Sequence, residues 1–110
     1  MSNFSTLDLS DMRAKAELLK ALHHGERPLV LPNAWDIGTA IIAAEEGFPA
    51  IATTSAGVAF ALGLPDGEAI TLDEMAAVVG AIARRVKVPV TADMEAGYGD
   101  TPEDCAATTR

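Results

Sequence analysis

The sequence TLDEMAAVVGAIARRVKVPVTADMEAGYGD, residues 71–100, contains a helix, a short apolar strand and an acidic loop in succession. Thr71 and Glu74 form the capping-box pattern that opens a helix. Apolar residues then recur at helical spacing: Met75, Val78, Val79 and Ile82. Basic residues that complement the dipole at the helix end follow: Arg84, Arg85 and Lys87. The stretch therefore predicts a helix from Thr71, a short buried strand over Val88–Ala92 and a glycine-punctuated loop over 93–100.

The same alternation of strand and helix precedes this stretch. Apolar residues at helical spacing, followed by Gly47, predict a helix over Asp36–Glu46. Short apolar runs predict strands over Pro28–Pro32 and Phe48–Thr54, and the glycine-rich segment Ser55–Glu68 is typical of a loop.

Two further helices flank these units. Ser10–His23 has leucines on one face and Gly25 just after it, which predicts a leading amphipathic helix. Thr101 and Pro102 match a helix cap and first turn, which predicts a further helix that we expect to be truncated at Arg110.

Strands that alternate with helices predict parallel βαβ units in an α/β fold. A closed (β/α)8 TIM-type barrel needs about 250 residues, whereas the chain has 110. We therefore expect a single partial domain, the N-terminal part of such a barrel. Residues 1–27 form its leading helical segment and residues 28–110 its first three βα units.

Composition and charge exclude several classes of protein. The chain is 49% hydrophobic and 22% charged, as in a soluble globular domain. Its net charge of −8 would repel nucleic acid and anionic lipid, so we expect neither as a partner. No apolar stretch reaches the ~20 residues of a membrane helix, and no secretory signal is recognisable, so we expect a cytoplasmic protein.

Two acidic residues, Asp93 and Glu95, follow the third predicted strand. Side chains alternate along an extended chain, so both are expected to share one face with Thr91 at the barrel mouth. Two carboxylates that lie this close either repel each other, which raises the pKa of one of them, or share a divalent cation. A solvated acidic turn explains the same residues, because Asp and Glu often precede Gly in turns. From spacing alone both interpretations stay open.

Polar groups also follow the second predicted strand. Thr53–Gly57 is rich in hydroxyls and small residues, whose backbone amides can hold a carboxylate or an oxyanion. Asp66 comes later in the same segment, either as a third acidic group of the site or as a turn former, and local chemistry favours the turn.

Other noticeable residues fit structural roles better than chemical ones. They are Asp36 as a helix cap, Trp35 as a packing residue at the rim, His23 and His24 at a helix end, and Cys105 on a helix face.

Four segments together resemble the phosphoenolpyruvate mutase/isocitrate lyase superfamily, including its 2-methylisocitrate lyases. They are LPNAWD at 31–36, TSAG at 54–57, LGLPDG at 62–67 and DMEAGYG at 93–99. All four follow the order and approximate spacing of that superfamily at consecutive strand ends. The resemblance covers the chain from about residue 28 to its end.

The resemblance implies a Mg²⁺-dependent barrel, with Mn²⁺ as the alternative cation. It implies a reaction that makes or breaks a C–C or C–P bond next to an enolpyruvate-like oxyanion of a small carboxylic acid. By motif position, Asp93 matches the principal metal-site aspartate and Glu95 the second acidic metal position. Asp66 matches the loop aspartate beside the substrate, so Asp66 and Asp93 are the catalytic candidates. The segment that holds substrate oxygens matches Thr54, Ser55, Ala56 and Gly57, with Asp66 beside it.

Two departures from the superfamily pattern affect this prediction. Its lyases usually carry Asp where this chain has Glu95, and a glycine-richer segment where it has Ala56. Its general-acid loop, later metal-site acid and substrate arginine would follow Arg110. We therefore expect the 110-residue chain to be an inactive fragment, and the complete protein to be a homo-oligomeric lyase.

Two other functions compete with the lyase. A small non-catalytic protein can retain half of the site and bind a carboxylate or a partner through its open sheet edge. A nucleotide-binding α/β domain is disfavoured, because no glycine-rich phosphate loop follows the first predicted strand. The reading frame beyond residue 110 distinguishes a fragment from a small protein.

Overall fold

The computed structural model describes residues 8–110, so residues 1–7 of the predicted leading segment lie outside the described part. The elements follow the order α1 (Leu9–Leu22), β1 (Asn33–Ala34), α2 (Ile37–Glu45), β2 (Ile51–Thr53), α3 (Ser55–Ala61), α4 (Leu72–Arg85), β3 (Val90–Thr91) and α5 (Pro102–Thr108). Across residues 8–110, no helix combines the length and the apolar character needed to cross a membrane.

The three strands form one parallel sheet in the order β1-β2-β3. Asn33 pairs with Ala52, and Ala52 pairs in turn with Thr91. Neighbours in sequence are thus neighbours in space, with helices in the connections. This is the arrangement of a barrel wall, which confirms the predicted α/β class of a (β/α) barrel segment.

The core consists of two apolar clusters. The first lies where α2 and α4 cover the sheet and contains Ala34, Ala40, Ile51, Ile82 and Val86. The second contains Val58, Ile70 and Met75, with Met94 and Tyr98 packed against it. The second cluster therefore supports the segments that follow β2 and β3.

Several helix boundaries agree with the sequence. Thr71 caps α4 in a capping box with Glu74, and Arg84 and Arg85 occupy the last turn. Thr101 caps α5, with Pro102 in its first turn. The helix predicted over Ser10–His23 is α1, one residue displaced, but it contributes no buried residue, and Leu18 is 49% exposed.

The strand predicted over Pro28–Pro32 is wrong in position. The paired residues of β1 are Asn33 and Ala34, and the apolar run joins the sheet only through Pro32 O, which accepts from Ala52 N–H at 3.0 Å. Proline has no N–H to donate to a neighbouring strand, so the two prolines that bound the run limit its pairing with β2. Val30 is 62% exposed rather than buried on both faces as predicted.

The other two strands are shorter than predicted, and the loop predicted over Ser55–Glu68 begins with a helix. Segment 55–61 contains one glycine and three alanines, and it forms the two turns of α3. The Thr54 side chain caps this helix by accepting from Gly57 N–H at 3.1 Å. Only the remainder of the segment, after Leu62, is irregular.

Candidate functional site

Asp93 lies two residues beyond β3 and joins the carboxyl ends of two strands. Its N–H donates to Thr53 Oγ1 at 2.9 Å, and its Oδ2 accepts from Ser55 Oγ at 2.8 Å. Thr53 is 3% exposed and Ser55 is 8% exposed. Because buried hydroxyls need partners, these two bonds fix Asp93 against the end of β2.

The Asp93 carboxylate is stabilised in its charged form. The Glu95 N–H, which donates to Oδ1 at 2.9 Å, is the main cause of a pKa below the ordinary 3.8. Partial burial opposes this shift of the Asp93 pKa, while the hydroxyl and amide of Ser55 reinforce it. Asp93 therefore presents an ionised carboxylate at neutral pH.

The extended alternation predicted for Thr91, Asp93 and Glu95 stops at Thr91, where β3 ends. Glu95 has a left-handed backbone, with φ of +55°. Its Oε1 accepts from Glu68 N–H at 3.1 Å, and its Oε2 accepts from Tyr98 O–H at 3.1 Å. The two carboxylates thus lie in one turn but contact different partners.

Tyr98 reports the charge around this turn. Burial, followed by the hydrogen bond to Glu95 and its charge, raises the pKa of Tyr98 to about 12. The charges of Glu68 and Asp93 contribute to the same increase of the Tyr98 pKa. Three carboxylates, those of Glu68, Asp93 and Glu95, thus act on one side chain, and such a concentration of negative charge favours a cation.

The segment after β2 is organised by the cap of α3. Thr54 N–H donates to Ala34 O at 3.0 Å, and Gly57 N–H donates to Thr54 Oγ1. Ser55 and Ala56 occupy the first two helical positions, where no intrahelical carbonyl is available to their amides. Thr54 and Gly57 thus shape the turn. The Ser55 amide acts on the Asp93 carboxylate, so the Ala56 amide is the donor of the first helical turn that is left for a ligand.

Gly57 is required by a close approach. A Cβ at this position would lie 2.6 Å from Thr54 Cγ2 and 3.0 Å from Trp35 Cβ. The turn after β2 is therefore packed directly against the residue that follows β1. Trp35 itself remains 43% exposed at the rim.

Asp66 is exposed at the tip of the segment between α3 and α4. Its Oδ1 accepts from Gly67 N–H at 2.9 Å, which is the turn-forming role favoured by local chemistry. Among the hydrogen bonds of residues 8–110, none joins Asp66 to Asp93 or Glu95. The same tip contacts the end of β3 through Glu68 instead.

The donors present fit part of a magnesium site. Within residues 8–110, no group of three or more His, Cys, Asp or Glu side chains is arranged to hold a metal ion. Proteins usually bind Mg²⁺ through one or two carboxylates, with water and substrate oxygens as the other ligands. Asp93, ionised and exposed, and Glu95 offer hard oxygen donors of that kind.

Sequence reasoning missed three residues of this network: Thr53 as the partner of the Asp93 amide, Glu68 and Tyr98. Tyr98 had a signal, because an aromatic residue between two glycines is unusual for a flexible turn. Glu68 had no signal in the sequence, because it contributes only its backbone N–H, and its partner Glu95 lies 27 residues further along the chain.

The loop after β3 is packed against α5, which explains its glycines. A Cβ at Gly99 would collide with the Asp104 side chain. Thr108 Oγ1 donates to Gly97 O at 2.7 Å, and Cys105 Sγ lies 3.7 Å from Ala96 O. Cys105 thus has the predicted structural position on a helix face.

Comparison with known proteins shows which family the chain belongs to. The profile of the phosphoenolpyruvate phosphomutase family matches residues 19–110. An uncharacterized protein from Mycobacterium tuberculosis is 45% identical over 85 residues, which are 77% of this chain and 33% of that protein. The 2,3-dimethylmalate lyase of Eubacterium barkeri is 35% identical over 86 residues, which are 77% of this chain and 30% of the lyase.

Solved structures show the same relation. A proposed lyase/mutase from Burkholderia cenocepacia J2315 superposes with a TM-score of 0.85 and 43% identity, over 89% of this chain and 35% of that chain. A 2,3-dimethylmalate lyase, described as a member of the PEP mutase/isocitrate lyase superfamily, superposes with a TM-score of 0.75 and 35% identity, over 87% of this chain and 35% of the lyase. The chain therefore spans about a third of the length of the relatives that it matches.

Proposed function

Because the chain belongs to the phosphoenolpyruvate mutase/isocitrate lyase superfamily, a group of lyases and mutases of small carboxylic acids, we propose that the protein containing it is a divalent-cation-dependent carbon–carbon lyase. Its substrate is a small carboxylic acid, and the bond that is broken lies next to an enolpyruvate-like oxyanion. The complete protein, meaning the product of the whole reading frame that includes residues 1–110, is the relevant enzyme. It is a cytoplasmic homo-oligomer in this proposal.

The observation that carries the proposal is the position of Asp93. Its carboxylate is ionised, lies just beyond β3 and accepts a hydrogen bond from Ser55, the first residue of α3. In parallel barrels the chemistry takes place at this edge of the sheet. Asp93 would hold Mg²⁺, or Mn²⁺ in its place, directly, and Glu95 would contact the cation through water.

The bound cation would supply positive charge that stabilises the developing enolate oxygen. The residues of this chain bind and orient the substrate. Residues 54–57 hold substrate oxygens, chiefly through the Ala56 amide, in the turn shaped by Thr54 and Gly57. The hydroxyl and amide of Ser55 act on Asp93. Asp66, at the loop tip, lies beside the substrate and is the second catalytic candidate after Asp93.

A turnover screen of the complete protein tests this function. The substrates are 2-methylisocitrate, 2,3-dimethylmalate and oxaloacetate with Mg²⁺, and the released 2-oxo acid or oxalate is measured. Asp93→Ala should lower the rate at least about 100-fold, since a metal's charge contributes several kcal/mol. Asp100→Ala is the matched control, because it removes an exposed acid of the same segment and should leave the rate unchanged.

Failure of the proposal has a specific form. Equal rates for wild type and Asp93→Ala would contradict it. Carboxylate binding by the complete protein without turnover of any of the three substrates would favour the non-catalytic binding protein instead.

A further inference from the structure

We propose that Glu95 is a positioning residue, whose carboxylate ties the tip of segment 62–70 to the end of β3. The two hydrogen bonds from Glu68 N–H and Tyr98 O–H to Glu95 are called the Glu95 clamp. The segment that it holds carries Asp66. The clamp itself stands on geometry alone, and its value to catalysis rests on the proposed function.

The clamp joins distant parts of the chain at a partly buried place. Both bonds measure 3.1 Å, and each uses a different oxygen of the Glu95 carboxylate. Tyr98 packs against the cluster of Val58, Ile70 and Met75. Its hydroxyl is therefore presented to Glu95 from a fixed ring rather than from a mobile side chain.

The backbone gives an independent indication of the same unit. Within residues 8–110, the non-glycine residues with positive φ are Glu68, Glu95 and Tyr98, at 62°, 55° and 57°. Left-handed backbone is unfavourable for residues with a Cβ, and it persists where surrounding contacts enforce it. All three of these residues belong to the clamp, so each residue that the two hydrogen bonds join has an unfavourable backbone conformation.

The clamp restrains the part of the segment that the core does not. Ile70 is 1% exposed, and Leu64 packs against the same cluster, so both ends of the segment are anchored. The tip between them is turned by the bond from Gly67 N–H to Asp66. The bond from Glu68 to Glu95 then fixes this tip relative to the end of β3.

Side-chain length makes the role specific to glutamate. The carboxylate must reach the Glu68 amide and the Tyr98 hydroxyl at once, from a backbone that also donates its N–H to Asp93. An aspartate is one methylene shorter and would draw its oxygens back toward its own turn. The glutamate of this chain is therefore suited to tying the loop, with any contact to a cation made through water.

Hydrogen exchange of the Glu68 amide in the complete protein tests the clamp directly. Glu95→Ala should accelerate this exchange about 10-fold, the equilibrium value of one net hydrogen bond. Glu95→Gln should restore slow exchange, because the amide oxygen accepts from residue 68 and the amide nitrogen donates to the Tyr98 oxygen. Glu68→Gly is the matched control: it keeps the donor N–H and the left-handed backbone, so exchange at residue 68 should stay slow.

A double-mutant cycle in kcat/KM tests what the clamp is for. If Glu95 acts by holding Asp66, then Glu95→Ala and Asp66→Asn affect the same step. The double variant should then lose no more activity than Asp66→Asn alone. Losses that multiply, within the error of the assay, would overturn the positioning role.

The two proposals fail differently. Unchanged exchange at residue 68 in Glu95→Ala would overturn the clamp whatever the activity of the protein. Added Mg²⁺ that accelerates this exchange in the wild type would do the same, because it would mean that Glu95 leaves the loop for the metal. Absence of turnover would contradict the proposed function, and the exchange experiment would still decide the clamp.

Discussion

Gly97→Ala is the most informative single change in the loop that carries the site. Gly97 has φ of +90°, and a Cβ there would lie 2.7 Å from Cys105 Sγ and 3.3 Å from Cys105 Cβ. The new methyl group would therefore push α5 away from the loop that positions Asp93 and Glu95. Gly47 is the matched control, because its φ is +93° and a methyl group added there would meet no heavy atom within 4 Å.

The expected cost has two parts. Left-handed backbone with a Cβ costs about 1–2 kcal/mol, and overpacking of one methyl group costs about 1–3 kcal/mol. Gly97→Ala should therefore lower the free energy of unfolding by about 2–5 kcal/mol. Gly47→Ala bears only the backbone part, about 1–2 kcal/mol.

Urea unfolding of the complete protein measures both variants. The double variant Gly97→Ala/Cys105→Ala removes the sulfur that the methyl group meets and should recover part of the packing loss. A Gly97→Ala midpoint equal to that of Gly47→Ala, with no recovery in the double variant, would refute the close packing of α5 on the loop.

Expressed alone, the 110-residue chain should self-associate, because β1 and β3 are sheet edges and Val30 is 62% exposed; a monodisperse monomer with one cooperative melt would contradict this. The same chain should show no lyase turnover, because the general-acid loop of the superfamily pattern would follow Arg110 and acid catalysis alone contributes ~10²–10⁴-fold to the rate. Turnover that Asp93→Ala abolishes would contradict this prediction. Stability of the complete protein should fall as pH rises from 10 to 12. Burial raises the pKa of Tyr98 from 10 to about 12, so the unfolded state loses its proton first. Tyr98→Phe should remove that part of the pH dependence in urea titrations, and an unchanged slope would count against it.

Local signals of the fold were readable because their partners are close in sequence. The box of Thr71 and Glu74 and the start at Thr101 each depend on residues three positions apart. Helix α3 was missed because the glycines and proline of 63–67 dominate the composition of a segment whose first seven residues are helical. Pairing of β1 could not be read from apolar character, since it depends on which backbone groups face β2.

The candidate site likewise contains contacts that the sequence predicts and contacts that it does not. A parallel sheet places the ends of β2 and β3 together, so the proximity of Ser55 and Asp93 follows from the predicted topology. The contact of Glu95 with Glu68 does not, because it uses a backbone N–H that every residue except proline possesses. The side-chain alternation on which the predicted carboxylate pair depends ends with β3 at Thr91, and Glu95 lies beyond it in a left-handed conformation.

The most direct test of the account is a Mg²⁺ titration of the lyase rate in the complete protein, comparing Asp93→Ala with Glu95→Ala. Asp93 is the proposed direct ligand, so its loss should reduce the metal-dependent rate at least about 100-fold at every Mg²⁺ concentration. Glu95 supports the site from outside the metal's first coordination shell, so its loss should cost about 10- to 100-fold. Near-normal Mg²⁺ dependence in Asp93→Ala, or greater damage from Glu95→Ala, would contradict the assignment.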